Sequence, residues 1–157
     1  MRILGALFAA AVAVSALAAA PSLAQTATPA SAVAATRLNP NTATAAQLAG
    51  VPHLTPALVT AISAKKPFKS ISELDAVLKP ALTTAQLAEV YPKLFVPINL
   101  NTAAEAEMNL IPGMTRRMVH EFEEYRPYKD LAQFDKEIGK YVSKEEVARL
   151  RSYVTLN

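Results

Sequence analysis

The residues best placed to do chemistry are cationic. Arg116 and Arg117 stand side by side directly after Gly113-Met114-Thr115, where a turn runs into a helix. Positive side chains at such a mouth can add to backbone N–H donors in gripping a phosphate, or they can simply cover a solvated helix start, where the helix dipole disfavours them. Lys65, Lys66 and Lys69, with Arg126 and Lys129, bracket two Pro-aromatic turns. They form a basic edge or serve ordinary solubility. His53 and His120 are the only histidines and cysteine is absent, so a zinc site is not expected. His53, alone in a turn, is expected to do no more than tolerate an unusual backbone conformation. Glu121, Glu123, Glu124 and Asp130 form an acidic run, but neighbours on a helix point in different directions. Pairing of Arg117 with Glu121, four residues on, explains the run better than a carboxylate acid/base pair does. With no Ser/His/Asp constellation, metal cluster or glycine-rich nucleotide loop, the expectation is a non-enzyme without cofactor or small-molecule substrate.

What positions these residues is a duplicated unit. Leu38-Asn39-Pro40-Asn41-Thr42-Ala43 recurs sixty residues later as Ile98-Asn99-Leu100-Asn101-Thr102-Ala103. The same offset then pairs Pro52 with Pro112, Thr55 with Thr115, Val59 with Val119, and Lys66-Pro67-Phe68-Lys69 with Arg126-Pro127-Tyr128-Lys129. One register held without a gap signals a repeated structural unit, with copies at 37–97 and 98–157. Each copy reads as four short helices. The first spans 44–50 or 104–110, capped by Thr42 or Thr102, and the second 56–64 or 116–125. The third spans 72–77 or 132–138 behind Ser70 or Asp130, and the fourth starts at Thr84 or Ser143. Leu58, Val59 and Ile62, like Met118, Val119 and Phe122, fall on one face and should be core, together with Leu74, Phe134, Leu87, Val90, Val147 and Leu150. Phe68 and Tyr128, fixed beside a proline, should plug that core. Strands are not expected, since Leu94-Phe95-Val96 and Tyr153-Val154-Thr155 are short runs that merely close each copy. The fold class is therefore all-α.

Charge and hydropathy set the surroundings. Arg2 precedes an uncharged run over 3–20, which reads as a signal peptide over 1–24 cleaved between Ala24 and Gln25. The run is mostly alanine and short for a membrane anchor, the alternative reading. Residues 25–36 are small and uncharged, as in a flexible linker. A periplasmic or secreted location follows, with no span of the membrane after signal removal. The net charge of +3 includes Arg2, and what remains is too mild to argue for nucleic acid unaided. It is unevenly divided: residues 37–97 hold six basic against three acidic side chains, and 98–157 hold nine against ten.

The segments Ile98-Asn99-Leu100-Asn101-Thr102-Ala103, Leu110-Ile111-Pro112-Gly113-Met114-Thr115 and Pro127-Tyr128-Lys129-Asp130-Leu131 resemble those of the ComEA-like competence proteins, an exported helix-hairpin-helix family. The resemblance covers nearly the whole chain beyond the linker, twice. It implies two helix-hairpin-helix units per copy and non-specific binding of the backbone of double-stranded DNA during uptake. Hairpin glycines let backbone N–H groups approach phosphate, and contacts of that kind are independent of base sequence and sensitive to salt. Carried onto this chain, the contact residues are Gly113, Met114, Thr115, Arg116 and Arg117, then Gly139 and Lys140, with Lys65, Lys66 and Lys69 alongside. The hairpins depart from the family pattern. The first, around His53, and the second, around Pro80, have no glycine; the third has Thr115 at the second glycine position; the fourth keeps Gly139 alone. A second function class therefore stands beside the first: a scaffold whose hairpins make protein contacts in an envelope-associated assembly, as the extrinsic photosystem subunit of this fold does.

Overall fold

The computed structural model describes residues 37–156. The expected signal peptide, with its expected Ala24/Gln25 cleavage point, and the expected linker lie outside the described residues. Eight helices occur among these residues: α1 (Ala45–Ala49), α2 (Pro56–Lys65), α3 (Ile71–Leu78) and α4 (Thr84–Val90), then α5 (Glu105–Met108), α6 (Arg116–Glu124), α7 (Leu131–Ile138) and α8 (Lys144–Arg151). The chain is mostly helical, as the hydrophobic spacing predicts.

Polar side chains set where these helices begin. Thr55, Thr83, Thr115, Asp130 and Ser143 each accept a hydrogen bond from a backbone N–H of the first turn, satisfying a donor the helix itself cannot. Two sequence expectations shift here. Thr44, not Thr42, caps α1, accepting from the Gln47 N–H at 3.2 Å while Gln47 Oε1 accepts from the Thr44 N–H at 2.8 Å. In the second copy Thr102 is likewise no cap; Ala104 stands at that position, and Glu107 accepts from its N–H at 3.1 Å. Ser70 makes no capping bond to α3.

The Asn-Thr opening has a different task. Asn41 Nδ2 donates to the Phe68 carbonyl at 2.8 Å while Asn41 Oδ1 accepts from the Phe68 N–H at 2.7 Å. Asn101 does the same to Tyr128, at 3.0 and 2.7 Å. Each asparagine thus pairs with the backbone of the Pro-aromatic turn, whose Lys66-Pro67 and Arg126-Pro127 peptide bonds are cis. The aromatic side chains beside them, Phe68 and Tyr128, are buried as expected.

Short β pairing also occurs, contrary to the sequence expectation. β1 (Ile98–Asn99) runs parallel to β2 (Val154–Thr155), and a bridge joins Leu38 to Leu94 in the first copy. The opening and closing segments of each copy leave backbone groups that no helix satisfies, and parallel pairing satisfies them. Every residue assigned to the core above is buried. Phe122 meets Phe134 edge to face at 5.1 Å, the favoured geometry for aromatic pairs. The buried side chains of the two copies form one contiguous cluster, in which Phe95 of the first copy meets Tyr153 of the second edge to face at 4.8 Å.

Candidate functional site

The third hairpin delivers the chain into α6. Gly113 has φ 75° and, sixty residues earlier, His53 has φ 64°. The turn needs a left-handed residue at this place, which glycine takes freely and histidine only under strain. Thr115 Oγ1 accepts from the Met118 N–H at 3.2 Å. The N–H groups of Arg116 and Arg117 in the first turn of α6 have no acceptor among the described residues, and they open to solvent beside exposed Gly113 and Thr115. Met114 is half-buried and packs on the core. Arg116 is exposed and forms no ion pair among the described residues. In the first copy Pro56 and Ala57 stand at the two arginine positions, and Pro56 has no N–H to offer.

Folding brings the fourth hairpin to the same place through two tyrosines. The Tyr125 and Tyr141 hydroxyls are 2.8 Å apart. The Arg117 guanidinium lies 5.3 Å from the Tyr141 ring centre and the Lys140 ammonium 5.1 Å from that of Tyr125, both within cation–π range. Beneath them Glu121 is 6% exposed, with Oε1 3.7 Å from Arg117 Nε and Oε2 lacking a hydrogen-bond partner among the described residues. The hydrogen bond with Tyr125, and then the Glu121 carboxylate, raise the Tyr141 hydroxyl above the ordinary phenol range. Lys140 also pairs with Glu137, whose carboxylate raises the ammonium from its ordinary value. In the first copy Ala57, Ala61, Lys65, Pro80 and Ala81 occupy the matching positions, so nothing similar forms there.

Three expected site residues do other work. The N–H of Gly139 donates to Asp135 O at 3.0 Å, as Lys140 and Tyr141 donate to Glu137 and Ile138, so none of these three N–H groups is free for a phosphate. Gly139 is not left-handed; it is glycine because a Cβ would stand 2.7 Å from Asp135 O. Lys66 is half-buried rather than part of an open basic edge, its ammonium donating to Ala43 O at 2.6 Å. Arg126 repeats this, donating to Leu100 O and Ala103 O at 2.6 and 2.7 Å. Burial of these cationic stems is tolerated because carbonyl oxygens receive the charge. Lys65 and Lys69 are exposed.

Sequence reasoning missed the residues behind the hairpins. Arg149 of α8 donates to Pro112 O at 2.6 Å while its guanidinium engages both oxygens of Glu146, at 2.7 and 2.6 Å. Its terminal nitrogen lies 3.4 Å from where a Cβ on Gly113 would be. In the first copy the matching pair is Glu89 and His53, joined at 3.0 Å. The signal was present in the repeat: wherever the hairpin residue changes from glycine to histidine, the residue facing it changes from arginine to glutamate. The chain matches no family model, no curated protein and no solved structure.

Proposed function

We propose that this is an exported helix-hairpin-helix protein, related in kind to the competence proteins, that binds the phosphate backbone of double-stranded DNA without sequence preference. The second copy makes the contact. The observation that carries the reading is the arrangement at the third hairpin: left-handed Gly113, unpartnered N–H groups of Arg116 and Arg117, and three cations, Arg116, Arg117 and Lys140, gathered around α6. Oriented N–H donors at a helix start favour a phosphate, and mobile cationic side chains add attraction that reads charge rather than bases. The mild net charge agrees with weak binding.

A fluorescence-anisotropy titration with unrelated duplexes at low salt tests this. Similar affinities that fall steeply with salt are expected; no detectable binding to any duplex refutes the reading. The scaffold alternative draws on the first copy, where Pro56, Ala57, Ala61 and Ala81 are exposed in place of Arg116, Arg117, Glu121 and Tyr141 of the second. Under that reading an envelope protein is retained by the intact chain after nuclease treatment.

A further inference from the structure

The third hairpin is held from behind, and the hold begins in the other copy. Arg149 reaches Pro112 O from α8, is oriented by a bidentate contact with Glu146, and lies within van der Waals reach, 3.4 Å, of where a Cβ on Gly113 would stand. Its guanidinium also lies 5.7 Å from the centre of the Tyr153 ring. Arg37, the first described residue of copy one, stacks on that same ring at 3.3 Å and donates to Ser152 O at 3.0 Å and to the Ser152 hydroxyl. A planar guanidinium suits such a post because it can stack and bridge carboxylate and carbonyl oxygens together. Copy one holds its own first hairpin by different means, the His53–Glu89 contact, and has Lys93 where Tyr153 stands in copy two. The brace is therefore one-directional, from copy one towards copy two.

We propose that Arg149 is the positioning residue of the third hairpin and that Arg37, acting through Tyr153, makes copy one a brace for that hairpin rather than a second binding unit. The consequence for DNA rests on the function proposed above; the positioning itself does not. Arg149 donates inward to Pro112 and Glu146 and is not a phosphate contact.

Amide hydrogen exchange of the intact protein, followed by NMR, is the direct test, with duplex affinity measured in parallel across a salt series. In Arg149→Ala the Met114 amide, which donates to Ile111 O at 3.0 Å, exchanges faster while the Phe122 amide does not, and duplex binding weakens by roughly tenfold, about the effect of one charge-assisted hydrogen bond. The salt slope stays at the wild-type value, because no phosphate contact is lost. Arg149→Lys, which keeps the charge but loses the planar bidentate fork to Glu146, gives a smaller change and keeps the assay informative if the alanine variant unfolds. Arg37→Ala accelerates the same amide to a lesser degree. An unchanged Met114 amide in both Arg149 variants overturns the positioning role, a slope flattened by about 0.9 makes Arg149 a direct contact instead, and an unchanged amide in Arg37→Ala removes the brace. If the hairpin loosens as described while the wild-type protein binds no duplex, positioning stands and the DNA reading falls.

Discussion

Arg116 and Arg117 are neighbours in sequence but differ in what removing them exposes. Arg116 is exposed and unpaired among the described residues, whereas Arg117, itself 73% exposed, is the ion-pair partner of buried Glu121. Arg116→Ala should therefore leave the melting temperature unchanged and flatten the slope of log affinity against log salt by about 0.9, one phosphate contact. Arg117→Ala should also destabilise the fold, by about 1–3 kcal/mol, because a buried carboxylate loses the cation that faces it. Glu121→Gln in the same background should restore most of that loss. Thermal melts of the three variants check the assignment, and an equal melting temperature for both single arginine variants would contradict it. Phe122 offers a plainer test. It is fully buried against Phe134, and truncation to alanine should cost roughly 3–5 kcal/mol.

At the scale of elements, α8 carries a titratable clasp. The Arg149 guanidinium, by hydrogen bond first and charge second, holds the Glu146 carboxyl below the ordinary carboxylate range. A folded value below the unfolded one means the stabilisation is complete at neutral pH. It is then lost as pH falls from the ordinary carboxylate range through the lowered value. Both partners are partly exposed, so the amount is small, roughly 0.5 kcal/mol. Chemical denaturation between neutral and acidic pH should show Glu146→Gln losing less stability on acidification than wild type. The helices themselves were legible in the sequence because apolar spacing is a local signal, whereas of the caps read there Asp130 holds and Thr42, Thr102 and Ser70 do not. The asparagine pairing with the Pro-aromatic turn was not. Asn41 lies 27 residues from Phe68, and an Asn-Thr pair before a helix carries the same local signature as a cap. The Tyr125–Tyr141 contact was hidden for the same reason, since neither partner announces the other, and the Arg149 hold showed only in the joint change from Gly113 and Arg149 to His53 and Glu89 between the copies. Gly113 and the arginines after it were legible because turn and helix start are adjacent in the chain.

At the scale of the whole molecule, two sequence-equivalent copies have diverged in opposite directions. Copy two keeps Gly113, free N–H donors and the tyrosine pair, while copy one has His53, Pro56 and alanines in their place. Copy one retains its own Asn41 pairing, its own helix caps and a full set of buried side chains, and its ends are joined by the Leu38–Leu94 bridge, so the two copies share the means of folding and differ at the hairpin and the helix start after it. The two copies also share one buried cluster, with Phe95 against Tyr153 and Arg37 over the same ring. Residues 37–97 and 98–157 expressed separately should each give a helical circular dichroism spectrum, because each contains complete caps and core faces. Each should melt below the joined chain, because separation exposes Phe95 and Tyr153 to water; burying an aromatic side chain of that size is worth roughly 1.5–3 kcal/mol. Phe95→Ala in the joined chain should lower its melting temperature towards that of the halves. A random-coil spectrum from either half would mean that the shared cluster, and not the repeat, is the unit that folds.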